Sequence, residues 1–333
     1  MDQLRVALIG AGDWGEKHLQ ALKTIQNVRV VAICDSNQRR ARKVASRYGI
    51  GKFYSDFREL LVREKLDAVH VVTPEASHRA PVVEAARKGI HIMVEKPLAT
   101  SLKDADSMIE ATRKNGVILM VGHVLRWDAR YAMVKDYIDR GDVGEIGTIF
   151  ARRSVSRTLA PIFLRRSTPV MQLGVHDIDL ILWYTGSRVR QVYSRSARFF
   201  DYKHPDMTAC VLDLESGAHA VIQNSFSLPE NVPFFVGARM EILGSKSYVI
   251  VDASEQCLFI SDKKGWRTPD TTLIPIVRNS LTGTLSQEIN YFIQCVGNGR
   301  KPEVITPEES REALRVALAC EKSMQDGAPV RLQ

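Results

Sequence analysis

Leu4-Arg-Val-Ala-Leu-Ile-Gly-Ala-Gly-Asp-Trp-Gly15, running on through Glu16–Ile25 to Val28-Arg-Val-Val-Ala-Ile-Cys-Asp35, is the stretch that decides the fold. Residues 4–9 are a short apolar run of the kind buried in a parallel sheet. A glycine-rich turn follows at once, then helical periodicity over Glu16–Ile25, then a second apolar run over 28–34. A lone GxGxxG is a weak signal. A strand before it, a helix after it and an acidic residue closing the next strand supply the context that a dinucleotide loop requires. There Gly10 permits the tight turn, Gly12 lets a pyrophosphate approach the backbone, and Gly15 allows the helix to pack closely on the strand. Gly10, Ala11, Gly12, Asp13, Trp14 and Gly15 therefore read as a phosphate cradle, with amides at the helix N-terminus facing the phosphates. Asp35 stands where a carboxylate accepts hydrogen bonds from the adenosine ribose and repels a 2′-phosphate. The cofactor reading is NAD, with NADP less favoured; the nearby Arg39 and Arg40 leave use of both open.

Further along, buried runs recur at 68–72, 90–94 and 117–121, separated by segments of helical period. One such segment, Glu75–Lys88, ends at Gly89, and another opens on the capping box Ser101-Leu-Lys-Asp104 and runs to about Asn115. Strands alternating with helices predict a doubly wound parallel sheet, a Rossmann domain over 1–121. Beyond Gly122 the pattern changes. After a helix over Asp128–Arg140, stopped by Gly141, come β-patterned segments at 148–154, 191–199, 209–214, 218–225, 240–243, 248–252 and 257–261. Turns at Ser216-Gly217 and Gly244-Ser245 predict hairpins. The expected second domain, 122–333, is α+β with a large open, mostly antiparallel sheet. Two helices close it. One carries Ile289, Phe292, Ile293 and Val296 on one face, and the other opens on Thr306-Pro-Glu-Glu309, with the last helix free to pack back on the first domain.

Composition sets the outer bounds. The chain has 333 residues, 45% hydrophobic and 25% charged, which suits two ordinary globular domains. No apolar run approaches the roughly 20 residues of a membrane span, and Met1-Asp2-Gln3-Leu4-Arg5 is too acidic and brief for a signal peptide. Five scattered cysteines argue against a disulfide framework or a zinc site. The expectation is a cytoplasmic, reduced protein with no metal. The net charge of +8 is spread along the chain without a nucleic-acid-binding motif, so the expected partner is an anionic small molecule rather than nucleic acid.

Lys96, in Glu95-Lys96-Pro97, follows a predicted strand at the end where open α/β sheets bind ligands. Its charge there can stabilise an alkoxide; by position alone it reads equally well as a solvated loop lysine. His176, in Gly174-Val-His-Asp-Ile-Asp179, opens a helix and can act as a proton acceptor, oriented by Asp177 or Asp179. A lone histidine so placed is more often merely hydrogen-bonded. Of Arg152, Arg153 and Arg157, the first two alternate to opposite faces of their strand, so at most one of them faces the cleft and helps bind an anionic substrate group such as a phosphate or nucleotide diphosphate. A solvated charge is the plainer reading for each.

The ordered set comprises the glycine-rich loop, Thr73-Pro74 with His78, Glu95-Lys96-Pro97, Gly122-His123 with Arg126-Trp127, Gly144 and His176-Asp-Ile-Asp179. Over almost the whole chain it resembles the Gfo/Idh/MocA oxidoreductases, relatives of glucose–fructose oxidoreductase and inositol dehydrogenase. The resemblance implies an NAD-dependent dehydrogenase of a sugar, cyclitol or nucleotide-sugar hydroxyl. Lys96 and His176 would be catalytic. Thr73, Pro74, His78, Glu95, Lys96 and Pro97 would join the glycine loop and Asp35 at the cofactor. His123, Arg126, Trp127, Arg153, Gln172 and His176 would face the substrate. It also implies a cis peptide before Pro97 and a homodimer or homotetramer packed sheet on sheet, with Tyr193, Phe199, Val221, Phe226 and Tyr248 expected on the outer face. One departure stands out: inositol-dehydrogenase-like members carry aspartate where this chain has Gln172, which accepts and donates hydrogen bonds but takes no proton. Two alternatives keep the same fold. One is a tightly bound, recycled cofactor serving elimination or carbonyl or imine reduction. The other is a non-catalytic NAD and sugar sensor, against which the presence of both Lys96 and His176 argues.

Overall fold

The computed structural model describes residues 3–254, 258–263 and 265–332. Two compact units emerge. The first comprises Met1–Trp127 and Leu273–Arg311, the second Asp128–Thr272 and Glu312–Gln333. Each unit thus draws on two stretches of chain, where the sequence suggested two continuous domains meeting at 121/122.

In the first unit, β1 (Leu4–Ile9), β2 (Val28–Cys34), β3 (Phe53–Tyr54), β4 (Ala68–Val71), β5 (His91–Glu95) and β6 (Leu119–Gly122) form one sheet. Their order is β3-β2-β1-β4-β5-β6, and every pairing is parallel. The order reverses between β1 and β4, the switch point at whose carboxyl ends open α/β sheets bind ligands. Helices α1 (Asp13–Leu22), α2 (Gln38–Tyr48), α3 (Phe57–Arg63), α4 (Arg79–Arg87) and α5 (Leu102–Lys114) make the crossovers. Helix α1 begins three residues earlier than its apolar periodicity suggests, because Gly12 is its N-cap and the first turn lies inside the glycine motif. Ser101 caps α5 as expected, its oxygen accepting from Asp104 N at 3.1 Å while its hydroxyl donates to the Asp104 carboxylate. Leu8, Ala11, Leu19, Ile33, Val44 and Ala45 close one layer of core between sheet and helices.

In the second unit, α6 (Ala129–Asp139) leads into β7 (Ile146–Ser156). A short α7 (Ala160–Phe163) and a π-helical turn over Val170–Gly174 then precede α8 (Val175–Thr185). The sheet continues with β8 (Val189–Ala197), β9 (Met207–Leu214), β10 (His219–Leu228), β11 (Val236–Gly244) and β12 (Tyr248–Asp252). Two-stranded ribbons follow, β13 (Ile260–Asp262) with β14 (Gly265–Arg267) and β15 (Ile276–Val277) with β16 (Ser280–Leu281), the last pair in the first unit. Cys257, the start of one expected strand, lies outside the described residues. Helices α9 (Thr284–Gly297) and α10 (Pro307–Asp326) and the short β17 (Val330–Arg331) complete the chain. Of α10, residues 307–311 belong to the first unit and the remainder to the second.

The second sheet runs β12-β11-β7-β10-β9-β8-β17, antiparallel except where β7 pairs with β10. Both expected hairpins form, β9–β10 and β11–β12. Alternation buries Ile149, Ala151, Arg153 and Val155 of β7 and leaves Phe150 and Arg152 on the opposite face. Phe226 departs from expectation. It shares the parity of Ala220, Ile222 and Asn224, so it turns inward against Val155, Ala160 and Leu164 and is fully buried. Phe199 lies beyond the end of β8 and is exposed.

Candidate functional site

The glycine loop is fixed by contacts that only glycine allows. Gly10 has φ +103°, and a Cβ there would lie 2.3 Å from the Val72 carbonyl, so the turn after β1 presses directly against the turn after β4. A Cβ on Gly15 would meet the Gly10 carbonyl at 2.0 Å, so α1 can rest on β1 only without a side chain at that position. Gly12 has open space where its Cβ would be. The amides of the first turn of α1 thus border unfilled room at the switch point, as a pyrophosphate cradle needs. Buried Thr73 Oγ1, on the facing loop, has no hydrogen-bond partner, a group that a ligand can satisfy.

Asp35 closes β2 with its carboxylate almost wholly buried. One oxygen accepts from Ala11 N at 2.8 Å and the other from Asn37 N at 2.8 Å, tying the acidic residue to the loop itself. Arg40, from the first turn of α2, lays its guanidinium along the same carboxylate with contacts of 3.0 Å. These residues fit a dinucleotide. The carboxylate favours NAD, and we expect NAD to raise the melting temperature more than NADP at equal concentration. The paired Arg40 narrows the gap, so in Asp35→Ser the order is expected to reverse. A parent protein stabilised more by NADP would refute this.

His78 is placed differently from the expected cofactor contact. Its ring is buried, with Nδ1 3.2 Å from the Leu98 carbonyl and Nε2 2.9 Å from the Thr73 carbonyl. Burial lowers its pKa, the two carbonyls opposing. It braces the Thr73-Pro74 turn against the segment after Pro97 and presents no free nitrogen to a ligand. Glu95, too, is buried rather than open. Its Oε1 lies 3.1 Å from His18 Nε2, and Oε2 accepts from Lys96 N at 3.3 Å. Burial alone would raise the Glu95 pKa; the His18 hydrogen bond and neighbouring positive charge outweigh it and hold the acid below its usual range. The Lys96–Pro97 peptide is cis.

Of the residues after β6, His123 is buried and its backbone N–H donates to Val121 O. Arg126 is also buried, donating to Val304 O at 2.7 Å and pairing with Glu309 at 3.0 Å. Its guanidinium therefore anchors the start of α10 within the first unit, and the expected substrate contact gives way to that role. Glu309 closes the capping box with Thr306 at the same point. The Trp127 ring lies against Tyr291, centroids 5.7 Å apart.

In the second unit His176 is in the first turn of α8 and is half-buried, and Gln172 is buried in the π-helical turn before it. Asp177 turns the other way. One oxygen binds Arg153 at 2.8 and 3.1 Å, and the other accepts from Asn224 Nδ2 at 3.1 Å. Arg153 also reaches the Tyr131 hydroxyl at 3.4 Å. Burial would lower the Arg153 pKa, but Asp177 beside it outweighs burial and raises it. Arg153 is thus a buried structural cation rather than a receptor for a substrate anion, and Asp177 orients Arg153, not His176. Arg152 lies on the opposite face, near Glu241 and Arg239.

His18, His70, Tyr131 and Asn224 were missed from sequence. For two of them a signal exists. His18 shares the buried face of α1 with Gly15, Leu19 and Leu22, and His70 interrupts the buried run Ala68–Val71. A polar ring in either setting must find a partner. Among the described residues no cluster of three or more His, Cys, Asp or Glu could hold a metal, and no helix is long and apolar enough to cross a membrane.

Comparison with known proteins agrees with this geometry. Residues 4–123 match the GFO/IDH/MocA oxidoreductase family, NAD-binding Rossmann fold, and residues 131–250 match the GFO/IDH/MocA C-terminal domain. The chain is 28% identical over 340 residues to myo-inositol 2-dehydrogenase of Thermotoga maritima, covering 99% of each chain. It is 30% identical over 255 residues to inositol 2-dehydrogenase of Acidothermus cellulolyticus, covering 76% of this chain and 74% of that one. The fold superposes with TM-score 0.86 on scyllo-inositol dehydrogenase of Lactobacillus casei with bound NAD(H) and scyllo-inositol, at 18% identity, covering 99% of each. The chain belongs to the GFO/IDH/MocA family of oxidoreductases.

Proposed function

We propose that this protein is an NAD-dependent dehydrogenase that interconverts a secondary hydroxyl and a ketone on a sugar, cyclitol or nucleotide-sugar, and that it works in the cytoplasm. The observation that carries the reading is the position of Lys96. It leaves the carboxyl end of β5, next to β4 whose loop faces the glycine turn, with its backbone N–H held by Glu95. NAD, when bound, supplies a hydride acceptor at the nicotinamide. The chain supplies the rest: amides of α1 bind the pyrophosphate, Asp35 the ribose, and Lys96 sets a positive charge where a carbinol oxygen gains negative charge. His176 takes the hydroxyl proton. Gln172 can hydrogen-bond a substrate hydroxyl and leaves that proton to His176. The names of the relatives, inositol dehydrogenases among them, support a polyhydroxylated ring as substrate.

The test mixes protein and NAD with a panel of cyclitols, sugars and UDP-sugars and follows NADH absorbance. Net NADH with at least one polyol is expected. Binding across the panel without turnover would overturn the reading in favour of a sensor.

We further propose a homodimer or homotetramer. Ile250, Glu241, Phe150, Val221, Val211 and Tyr193 lie side by side in register across six strands of the second sheet. Ile250, Phe150, Val211 and Tyr193 are exposed. A row of exposed apolar side chains on a sheet face, broken here only by Glu241, marks an interaction surface. Sedimentation should give a multiple of the 37.4 kDa chain mass; a monomer mass would refute the proposal, and Phe150→Glu should shift the mass toward the monomer.

A further inference from the structure

His18, His70 and Glu95 form one buried chain within the first unit that the reaction, as read above, does not use. His18 leaves α1, His70 lies in the middle of β4, and Glu95 ends β5, so helix and sheet meet through polar atoms in an otherwise apolar layer. Both imidazoles are fully buried. His18 Nδ1 and His70 Nδ1 lie 3.1 Å apart, His18 Nε2 is 3.1 Å from Glu95 Oε1, and the two rings meet edge to face.

Acceptor chemistry fixes where the protons stand. An ionised carboxylate only accepts, so His18 Nε2 carries its hydrogen. If His18 is neutral, its Nδ1 is then an acceptor, and His70 must donate from Nδ1. That leaves His70 Nε2 as a bare nitrogen, and it has no partner. A cationic His18 would instead force an N–H onto that same buried, partnerless nitrogen, the costlier arrangement. Burial holds the His70 pKa well below its ordinary value, which keeps that ring neutral. The sequence of donors therefore runs one way, from His70 to His18 to Glu95.

Glu95 is where this chain meets the functional loops. The same carboxylate accepts the backbone N–H of Lys96, and the Trp14 ring, inside the glycine loop, meets the His18 ring edge to face with centroids 6.5 Å apart. We propose that His18 is a positioning residue. Held by His70, it packs against Trp14 of the pyrophosphate-binding loop and orients the Glu95 carboxylate that holds the backbone at Lys96. Cofactor binding and placement of the lysine are thereby coupled through this buried chain. The inference rests on the reading of Lys96 as the charge beside the substrate oxygen.

Four variants and one direct observation test it. ¹⁵N-histidine NMR of the full chain without cofactor should show His70 as the Nδ1–H tautomer and His18 as Nε2–H, the two assigned by loss of signals in His70→Phe and His18→Gln. His18→Leu removes the donor to Glu95. NADH affinity, read by fluorescence titration, should fall about tenfold, and kcat with the best polyol of the panel about 100-fold, the scale set by misplacing a reacting group by about 1 Å. His18→Gln puts an amide N–H near the place of Nε2 and should restore most of both. Packing alone would predict a lower melting temperature with parental kcat and NADH affinity in the folded His18→Leu protein. That result, or His70 as the Nε2–H tautomer, overturns the proposal. Lys96→Ala separates the two readings: it should lose turnover while keeping the tautomers and NADH affinity. Retained turnover would sink the role of Lys96, and the histidine chain would still be judged by its tautomers and by NADH affinity.

Discussion

Lys96→Ala is expected to lower kcat by about 10²–10³-fold with the best polyol of the panel while leaving the thermal stabilisation by NAD unchanged. The reasoning is one of charge placement. As hydride leaves a carbinol carbon and its proton leaves the oxygen, negative charge grows on that oxygen, and a fixed ammonium stabilises the transition state more than the ground state. The proposed cofactor cradle, by contrast, consists of the backbone of residues 10–15 and Asp35, whose contacts with Ala11 and Asn37 do not involve the lysine. Lys96→Arg keeps the charge but replaces a compact ammonium by a wide planar fork, so it should recover only part of the loss. The decisive measurement is kcat against the melting shift in the same preparation. Turnover near that of the parent would remove Lys96 from the chemistry. A loss of the NAD-induced shift together with kcat would assign it to cofactor binding instead.

The second large effect falls on stability. Arg153→Met should destabilise the second unit by about 3–5 kcal/mol, because it leaves the Asp177 carboxylate buried with only the Asn224 amide as partner. Both side chains of the pair are at least nine-tenths buried, so solvent cannot take over from the lost partner. The double variant Arg153→Met with Asp177→Leu should recover much of the loss, since an apolar pair of similar volume carries no stranded charge. Denaturant midpoints for the parent, the two single variants and the double close the cycle. A coupling energy near zero would show that the pair does not hold α8 to β7. His176 adjoins Asp177 on α8, so Arg153→Met should also lower kcat of whatever fraction remains folded.

These two predictions draw on different kinds of information. The position of Lys96 was legible because its setting is local: a buried run, its carboxyl end and a proline next in line are read within a few residues. The same holds for the glycine loop with Asp35, the Ser101 and Thr306 capping boxes, the hairpin turns and the alternation that separates Arg152 from Arg153. Each depends on backbone conformation, or on hydrogen bonds between residues close in the chain, so composition and spacing are enough.

What the chain alone could not disclose was which charged side chains are spent on holding the fold. Arg126 follows a conspicuous His123 and was read as a substrate contact, yet its partners lie 178 and 183 residues away. Arg153 was read toward an anion, and its carboxylate, Asp177, comes from a different element and is shared with Asn224, 47 positions further on. His78 and Glu95 were placed at the cofactor by motif, and the fold turns them into braces beneath it. The physical reason is the same in every case. A polar or charged group committed to the interior must be paired there, and which partner reaches it is set by strand order and helix packing. Sequence thus determined the Rossmann unit, its glycine-rich loop and the places of Lys96 after β5 and His176 at the start of α8. Tertiary structure alone decided that Arg126, Arg153, His78 and Glu95 serve the scaffold, and that His18 and His70 join them.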